Sequence, residues 1–123
     1  NHLKRFIKKL KKPIKSNNNK SLIIDDMTDK NIETKYMGFL KYKNNPVRRI
    51  DVRYVPFKSY YFALLYFTGS KDLNKKMREI AKGKGYTLSE YGLVDSKGKE
   101  FKAKSEKEIF KKLGLEYLPP KLR

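Results

Sequence analysis

The residues best suited to chemistry lie in one predicted strand, VRRIDVRYV (residues 47–55). Apolar and polar residues alternate along it, so Arg49, Asp51 and Arg53 should share one face of the strand. A carboxylate between two guanidiniums suits two roles. It can form an ion-pair ladder that stabilises the strand, or it can bind a divalent cation beside arginines that orient a polyanion. The pattern of this strand leaves both roles open.

A second group of polar side chains lies in the predicted helix that follows the Gly-containing turn TGS (residues 68–70). Lys71, Asn74 and Arg78 are spaced i, i+3 and i+7, so they form one stripe along this helix, and all three donate hydrogen bonds. The stripe is either an ordinary solvated face or a reader of base edges or of a minor groove. The TGS turn lacks the residues of a P-loop and does not by itself indicate a nucleotide site.

The composition restricts the available chemistry and indicates a polyanionic partner. The 123 residues include no Cys and one His, which excludes thiol nucleophiles, Cys-based zinc sites and His-rich metal sites. Lys and Arg number 31 against 13 Asp and Glu, and the net charge of +18 favours a protein that meets a polyanion. Nine Tyr and seven Phe supply core material that a disordered basic tail would lack.

The N-terminal half is predicted to be a helix followed by an antiparallel sheet. The segment NHLKRFIKKLKK (residues 1–12) has apolar residues at helical spacing and predicts a basic amphipathic helix, which either packs on a sheet or binds a membrane surface or a partner helix. Residues 21–27, 34–42 and 47–55 are strand candidates joined by short polar turns, which favours a meander.

The C-terminal half is predicted to be a smaller α+β unit. The apolar segment 59–67 is either a buried helix or a buried strand, and residues 72–82 form an amphipathic helix. Residues 86–94 are a strand candidate whose partner is 99–103, beyond a turn at 95–98. Ser105 and Glu108 form the capping box of a short helix, and the chain ends in an extended tail that contains two prolines.

Four segments resemble the C-terminal half of the X-family DNA polymerases, the group of DNA polymerase beta, DNA polymerase lambda and terminal transferase. The resemblance implies an α+β fold in two parts. Residues 1–58 would be part of a nucleotidyltransferase-like palm, with antiparallel strands and a flanking helix. Residues 59–123 would be the small α+β thumb that closes over the nucleotide. The segments are RRIDVR (48–53), ALLYFTGSKDLNKKMR (63–78), GYTLSEYGL (85–93) and SEKEIFKKLGLEYLPPKLR (105–123).

The resemblance also implies roles for the strand that carries the carboxylate. Asp51 would be the third of three catalytic carboxylates and a ligand of the catalytic metal, in a site that holds two Mg²⁺ ions, with Mn²⁺ as an alternative. Arg49 would lie near the primer terminus and contact DNA. Arg53 would be a catalytic switch residue that changes partners on closure.

Further roles follow for the thumb and for the edge of the palm. The resemblance implies a cis peptide bond between Gly69 and Ser70. The residues that bind the nucleotide would be Tyr66, Phe67, Gly69, Ser70, Lys71 and Asn74. The residues that bind DNA would be Thr34, Lys35, Arg49, Arg78 and Tyr91. The closed state would be stabilised by Glu90 and Tyr91 together with Arg53.

The expected function is that of the C-terminal part of a template-dependent DNA polymerase that fills gaps in DNA repair. Its partners would be gapped or primer–template DNA, a deoxynucleoside triphosphate and a missing N-terminal palm and fingers segment of the same chain; no membrane partner is expected. The family's other two catalytic aspartates are not found, so we expect this chain alone, a monomer, to be inactive. The alternative is a non-catalytic, basic nucleic-acid-binding protein with a polymerase-like fold. We expect an intracellular location, for which the nucleus and a viral replication site are candidates.

Overall fold

A computed structural model describes residues 1–28 and 32–123 and divides the chain into two compact units, Asn1–Tyr54 and Val55–Arg123. The boundary predicted from the sequence lay a few residues later, after residue 58. Both units combine helices with antiparallel strands, as the predicted α+β class requires. No helix in the described ranges combines the length and the apolar character that a membrane span needs.

The N-terminal unit is a three-stranded antiparallel sheet with one helix packed on it. The strands follow one another in the order β1-β2-β3, so the predicted meander is confirmed. In the register of β2 and β3, Met37 lies opposite Asp51 and Lys35 lies opposite Arg53. The elements are α1 (His2–Leu10), β1 (Ile23–Asp26), β2 (Lys35–Leu40) and β3 (Arg48–Arg53).

The core of this unit is built from the apolar side of α1 and one face of the sheet. Leu3 and Ile7 of α1 are buried with Ile23 and Tyr36, and the β3 residues Ile50 and Val52 pack against them. The amphipathic helix therefore uses its apolar side inside its own unit, because that side covers the sheet. This is the sheet-packing alternative of the two that the sequence left open.

The close approach of two β2 residues requires a glycine. The Tyr36 side chain is completely buried and passes over Gly38, where an added Cβ would lie 2.3 Å from the Tyr36 Oη. The Tyr36 hydroxyl donates a hydrogen bond of 2.5 Å to Asp26, whose other carboxylate oxygen accepts from Lys11 at 2.6 Å. This chain of polar groups ties β2, β1 and the end of α1 together.

The C-terminal unit contains three helices and a hairpin. The segment 59–67, which the sequence left open between helix and strand, lies almost entirely in α2. The predicted strand 86–94 is wrong: it is a hairpin of two short strands, and its predicted partner 99–103 contributes only a bridge from Glu100 to Val94. The elements are α2 (Tyr60–Thr68), α3 (Lys71–Gly83), β4 (Tyr86–Leu88), β5 (Leu93–Asp95) and α4 (Glu106–Lys112).

The end of the chain differs from the predicted extended tail. Residues Pro120–Leu122 form a 3₁₀ turn, and the side chain of Arg123, only 1% exposed, pairs with Glu106 at 2.5 Å. Ser105 caps α4 as predicted by accepting from the Glu108 N–H. The Glu108 carboxylate accepts from the Lys104 N–H, one residue before the position of a standard capping box.

Candidate functional site

The β3 face that carries Asp51 is exposed and strongly basic. Arg49, Asp51 and Arg53 alternate with half-buried residues, as the period of two predicts. An Arg49 Nη2 atom lies 2.8 Å from an Asp51 oxygen, and the two side chains are 45% and 56% exposed. Such an exposed ion pair contributes at most about 1 kcal/mol, so it does little for stability. Lys35 faces the same side opposite Arg53 and adds a further cation.

Thr34 lies at the end of β2 where these cations gather. Its carbonyl oxygen accepts a hydrogen bond of 2.8 Å from the Tyr54 N–H, which extends the pairing of β2 and β3 by one step. Thr34 and Lys35 are both exposed. Lys35 therefore lies on the Asp51 face and Thr34 precedes it at the end of the strand. The contact of both residues with the DNA backbone stays a prediction.

The described residues do not form a complete metal site around Asp51. No group of three or more His, Asp or Glu side chains within the described ranges is placed to hold a metal ion. Asp25 shares the sheet face, but β2 lies between it and β3, so the backbones of Asp25 and Asp51 are about 10 Å apart or more. Side chains stand roughly perpendicular to a sheet and ligand oxygens bind Mg²⁺ at about 2 Å, so this arrangement does not favour one ion shared by the two carboxylates. Asp51 can supply one ligand, and the residues described do not fit a two-ion site.

The turn between α2 and α3 has the backbone that the resemblance implied. The peptide bond between Gly69 and Ser70 is cis, as predicted, and Gly69 has a φ of +77°. Ser70 then caps α3, since its hydroxyl accepts from the Leu73 N–H at 3.3 Å. The turn therefore sets the direction in which α3 leaves α2.

A groove of about 990 Å³ lies against this turn and brings together most of the predicted nucleotide-binding residues. Its walls are the end of α2, the turn and one side of α3. The cations Lys75 and Lys82 also line it, and sequence reasoning missed them although they continue the helical spacing of Lys71 and Arg78. The predicted residues in the groove are Tyr66, Phe67, Gly69, Lys71, Asn74 and Arg78.

Inside the groove, Tyr66 is the residue around which the others are arranged. The Asn74 side-chain amide donates to the Tyr66 carbonyl oxygen at 2.9 Å. The Arg78 guanidinium carbon lies 5.0 Å from the centre of the Tyr66 ring, within cation–π range. Phe67 meets the Tyr66 ring edge to face, with centroids 4.9 Å apart. The α2 end thus presents an aromatic wall, and α3 presents a row of donors beside it.

Glu90 and Tyr91 lie in the turn between β4 and β5 and do not line the groove. Both polar groups of the Tyr91 backbone form hydrogen bonds. The carbonyl oxygen accepts from the buried Ser59 hydroxyl at 2.6 Å, and the N–H donates to the Ser89 hydroxyl at 3.2 Å. The Tyr91 side chain is 66% exposed. An anchored backbone with an exposed ring suits a residue that contacts a partner. The roles of Glu90 and Tyr91 in the closed state stay a prediction.

Residues 63–123 match the family model described as DNA polymerase beta thumb. This segment is an X-family polymerase thumb region. The thumb match contains the whole groove, the cis turn and the β4–β5 turn, whereas Asp51 and its arginines lie before it.

Curated relatives of this thumb region agree with the family match. The chain is similar to the human DNA-directed DNA/RNA polymerase mu, with 46% identity over 77 residues, and to the rat DNA polymerase lambda, with 40% identity over 84 residues. It is also 43% identical over 75 residues to the DNA polymerase/3'-5' exonuclease PolX of Bacillus subtilis (strain 168). These matches cover 61%, 59% and 60% of the chain, and 16%, 15% and 13% of the respective relatives. The chain therefore spans between about an eighth and a sixth of the length of these polymerases.

Proposed function

We propose that this chain is the C-terminal part of a DNA-directed DNA polymerase that adds deoxynucleotides to a primer 3′-hydroxyl during gap-filling repair. The observation that carries the proposal is the groove of the thumb region, where an aromatic wall and a row of donors flank the turn between α2 and α3. Relatives that are named DNA polymerases support it. The partners would be primer–template or gapped DNA and a deoxynucleoside triphosphate.

In this proposal the groove binds the incoming nucleotide. Tyr66 and Phe67 would pack on the deoxyribose, and an apolar wall there disfavours a ribose because a 2′-hydroxyl would be buried without a hydrogen-bond partner. Asn74 and Lys71 would face the base, and Arg78 would reach the template strand. Lys75 and Lys82 bring the cations that line the groove to four, against the two carboxylates Asp72 and Glu79, and this excess of positive charge favours a phosphate-bearing ligand.

The catalytic part of the proposal concerns Asp51. Two Mg²⁺ ions, or Mn²⁺, would activate the attacking hydroxyl and stabilise the leaving pyrophosphate when bound. Asp51 would supply one carboxylate ligand, and Arg49 and Arg53 would orient the primer and the phosphates beside it. Because one carboxylate is too few for such a site, we propose that two further aspartates come from a palm segment outside these 123 residues. The 123-residue chain would then be inactive by itself.

Primer extension on gapped DNA tests this function. The purified 123-residue chain should add no nucleotide, and the complete protein should extend the primer with deoxynucleotides in preference to ribonucleotides. Asp51→Asn in the complete protein should abolish extension while DNA binding persists, and Asp25→Asn, a change of the same kind on the same sheet, should leave extension intact. Primer extension by the isolated chain would refute the proposal that two further aspartates are needed. A complete protein that does not extend the primer would refute the proposed polymerase function.

A second candidate is a non-catalytic nucleic-acid-binding protein with this fold. The net charge of +18 and the single carboxylate of the β3 face favour it. It predicts a complete protein that binds DNA, with strong dependence on salt, and extends no primer under any metal condition. The extension assay therefore separates the two candidates.

A further inference from the structure

The N-terminal helix carries a concentration of positive charge that the proposed active site does not use. Residues 1–24 contain eight Lys and Arg and no Asp or Glu. In α1 and the residues just after it, all the cations are exposed. They are Lys4, Arg5, Lys8, Lys9, Lys11 and Lys12.

The burial of α1 argues against a membrane surface as the partner of these cations. An interfacial helix needs a continuous apolar side to insert between lipids. In α1 that side is used already, since Leu3 is 4% and Ile7 is 1% exposed against the sheet. Phe6, 45% exposed, is the large apolar side chain that remains at the surface of α1. The exposed surface of the helix is therefore almost purely cationic.

Three of the lysines line a groove with a spacing that suits a nucleic-acid strand. A groove of about 850 Å³ runs beside α1, and Lys4, Lys8 and Lys11 lie along it at i, i+4 and i+7. These positions span roughly 10 Å of helix, and each strand of a duplex presents one phosphate per about 3.4 Å of its axis, which is about three phosphates over that length. Asp26 neutralises Lys11 in part, at 2.6 Å, and the exposed Lys12 follows it.

This cationic surface lies on the opposite side of the sheet from Asp51. Ile50 and Val52 of β3 face the core beneath α1, and the alternating residues Arg49, Asp51 and Arg53 face away from it. A duplex on the Asp51 face therefore has no need of the α1 cations. The α1 cations are therefore available to a separate partner.

We propose that α1 and the residues up to Lys12 form a second DNA-binding surface, which holds the phosphate backbone of a duplex segment without reading its sequence. The inference rests on the proposed function only in the choice of DNA as the polyanion. The surface contributes affinity through release of counterions, so its contribution falls as salt rises. It uses none of the residues that line the groove in the thumb region.

The salt dependence of DNA binding tests the proposal. In the variant Lys4→Gln, Lys8→Gln, Lys12→Gln, three charges are lost while helix propensity is kept. The matched control is Lys97→Gln, Lys99→Gln, Lys102→Gln, which removes the same charge from an exposed segment of the other unit. With a 30-base-pair duplex, the slope of log Kobs against log[salt] should be shallower by about 2 to 3 in the α1 variant, since each phosphate contact contributes about 0.9. The control should change the slope by less than 1.

A local probe gives a second readout. The chain contains no Cys, so Lys8→Cys and Lys102→Cys each accept a single environment-sensitive fluorophore. The duplex should change the emission at position 8 and leave position 102 unaffected. Equal salt slopes in the α1 variant and the control, or a silent probe at position 8, would overturn the proposal. If the emission at position 8 changes with phosphatidylserine vesicles but not with the duplex, the partner of this surface is a membrane and the proposal is wrong. The salt slope and the fluorophore emission both measure DNA binding and do not require primer extension. A failure of the proposed polymerase function can therefore be told apart from a failure of this proposal.

Discussion

The Asn74 side-chain amide donates a hydrogen bond of 2.9 Å to the backbone carbonyl of Tyr66, across the turn that joins α2 to α3. The bond links the residue at the aromatic wall of the groove to the helix that carries the groove's donors. The same turn contains the cis peptide, and Ser70 caps the helix that leaves it. The relative positions of the aromatic wall and the donor row therefore depend on one side-chain amide and one cap.

Asn74→Ala should loosen this corner of the thumb region. Loss of a partly buried hydrogen bond lowers the free energy of unfolding by about 1 kcal/mol, and a displaced Tyr66 should weaken nucleotide binding in the complete protein. Urea denaturation of the 123-residue chain measures the first effect, and the KM for deoxynucleotides measures the second. Lys76→Ala, at an exposed position of the same helix outside the groove, is the control. An Asn74→Ala variant indistinguishable from it would contradict the role of the bond.

Gly38→Ala should destabilise the N-terminal unit. The added Cβ would lie 2.3 Å from the Tyr36 Oη and 2.8 Å from the Asp25 carbonyl oxygen, so a completely buried ring must move. Overpacking of this kind costs about 1–3 kcal/mol. Hydrogen exchange of the β2 amides should become faster. In Gly92→Ala the new methyl group would meet no atom within 4 Å, so this variant should retain the wild-type exchange rates.

The pair of Asp26 and Tyr36 should make the N-terminal unit sensitive to acid. Hydrogen bonds from Lys11 and then Tyr36 lower the pKa of Asp26 below its usual value, more than burial raises it. A carboxyl group with a lowered folded-state pKa stabilises the fold above its unfolded pKa of about 4, and this stabilisation is lost as the pH falls below that value. The stability difference between the wild type and Asp26→Asn should therefore shrink from pH 6 to pH 3. Asp25→Asn is the control, and an Asp26→Asn curve parallel to the wild type would exclude the effect.

The same pair should make the N-terminal unit sensitive to alkaline pH as well, because Tyr36 then loses its proton. Burial, and then the hydrogen bond to Asp26, raise the pKa of Tyr36 above its usual value of about 10. A group with a raised folded-state pKa stabilises the fold below its unfolded pKa and loses that contribution as the pH rises through its folded pKa. Above about pH 10 the wild type should lose stability faster than Tyr36→Phe, as followed by circular dichroism. Tyr42→Phe, at an exposed ring, should show the wild-type slope.

Arg123→Met should destabilise the C-terminal unit strongly. The Arg123 side chain is 1% exposed, donates to the Leu118 carbonyl at 2.8 Å and pairs with Glu106, itself only 13% exposed. Removing the cation leaves a nearly buried carboxylate without its charged partner, which costs about 3 kcal/mol or more. Urea denaturation measures the loss, with the exposed Lys121→Met as control.

The double variant Arg123→Met, Glu106→Leu separates the ion pair from simple packing. Because it removes both charges, it should be more stable than Arg123→Met alone. A double variant that is no more stable than the single one would indicate that Arg123 stabilises the unit through its contacts with the rings of Phe110 and Tyr117 and not through the ion pair.

Local patterns in the sequence were sufficient for α1, α3, α4 and the three strands of the N-terminal unit, and for the exposed face of β3. The period of two placed Arg49, Asp51 and Arg53 on one side, and the helical spacing of Lys71, Asn74 and Arg78 placed them along one groove. These features depend on neighbours within one element, so the chain specifies them without reference to the rest of the fold. The resemblance added the cis turn, which composition and periodicity do not reveal.

Tertiary contacts decided the features on which local patterns were silent or misleading. The uniformly apolar α2 had no period, and its helical form follows from packing in the core around Phe62 and Leu65. The segment 86–94 folds back on itself as a hairpin, and Arg123 turns inward to a carboxylate 17 residues earlier in the chain. The amphipathic pattern of α1 favours packing on a sheet but also suits binding to a membrane surface. Only the sheet beneath Leu3 and Ile7 determines that its apolar side is buried and its cations are exposed.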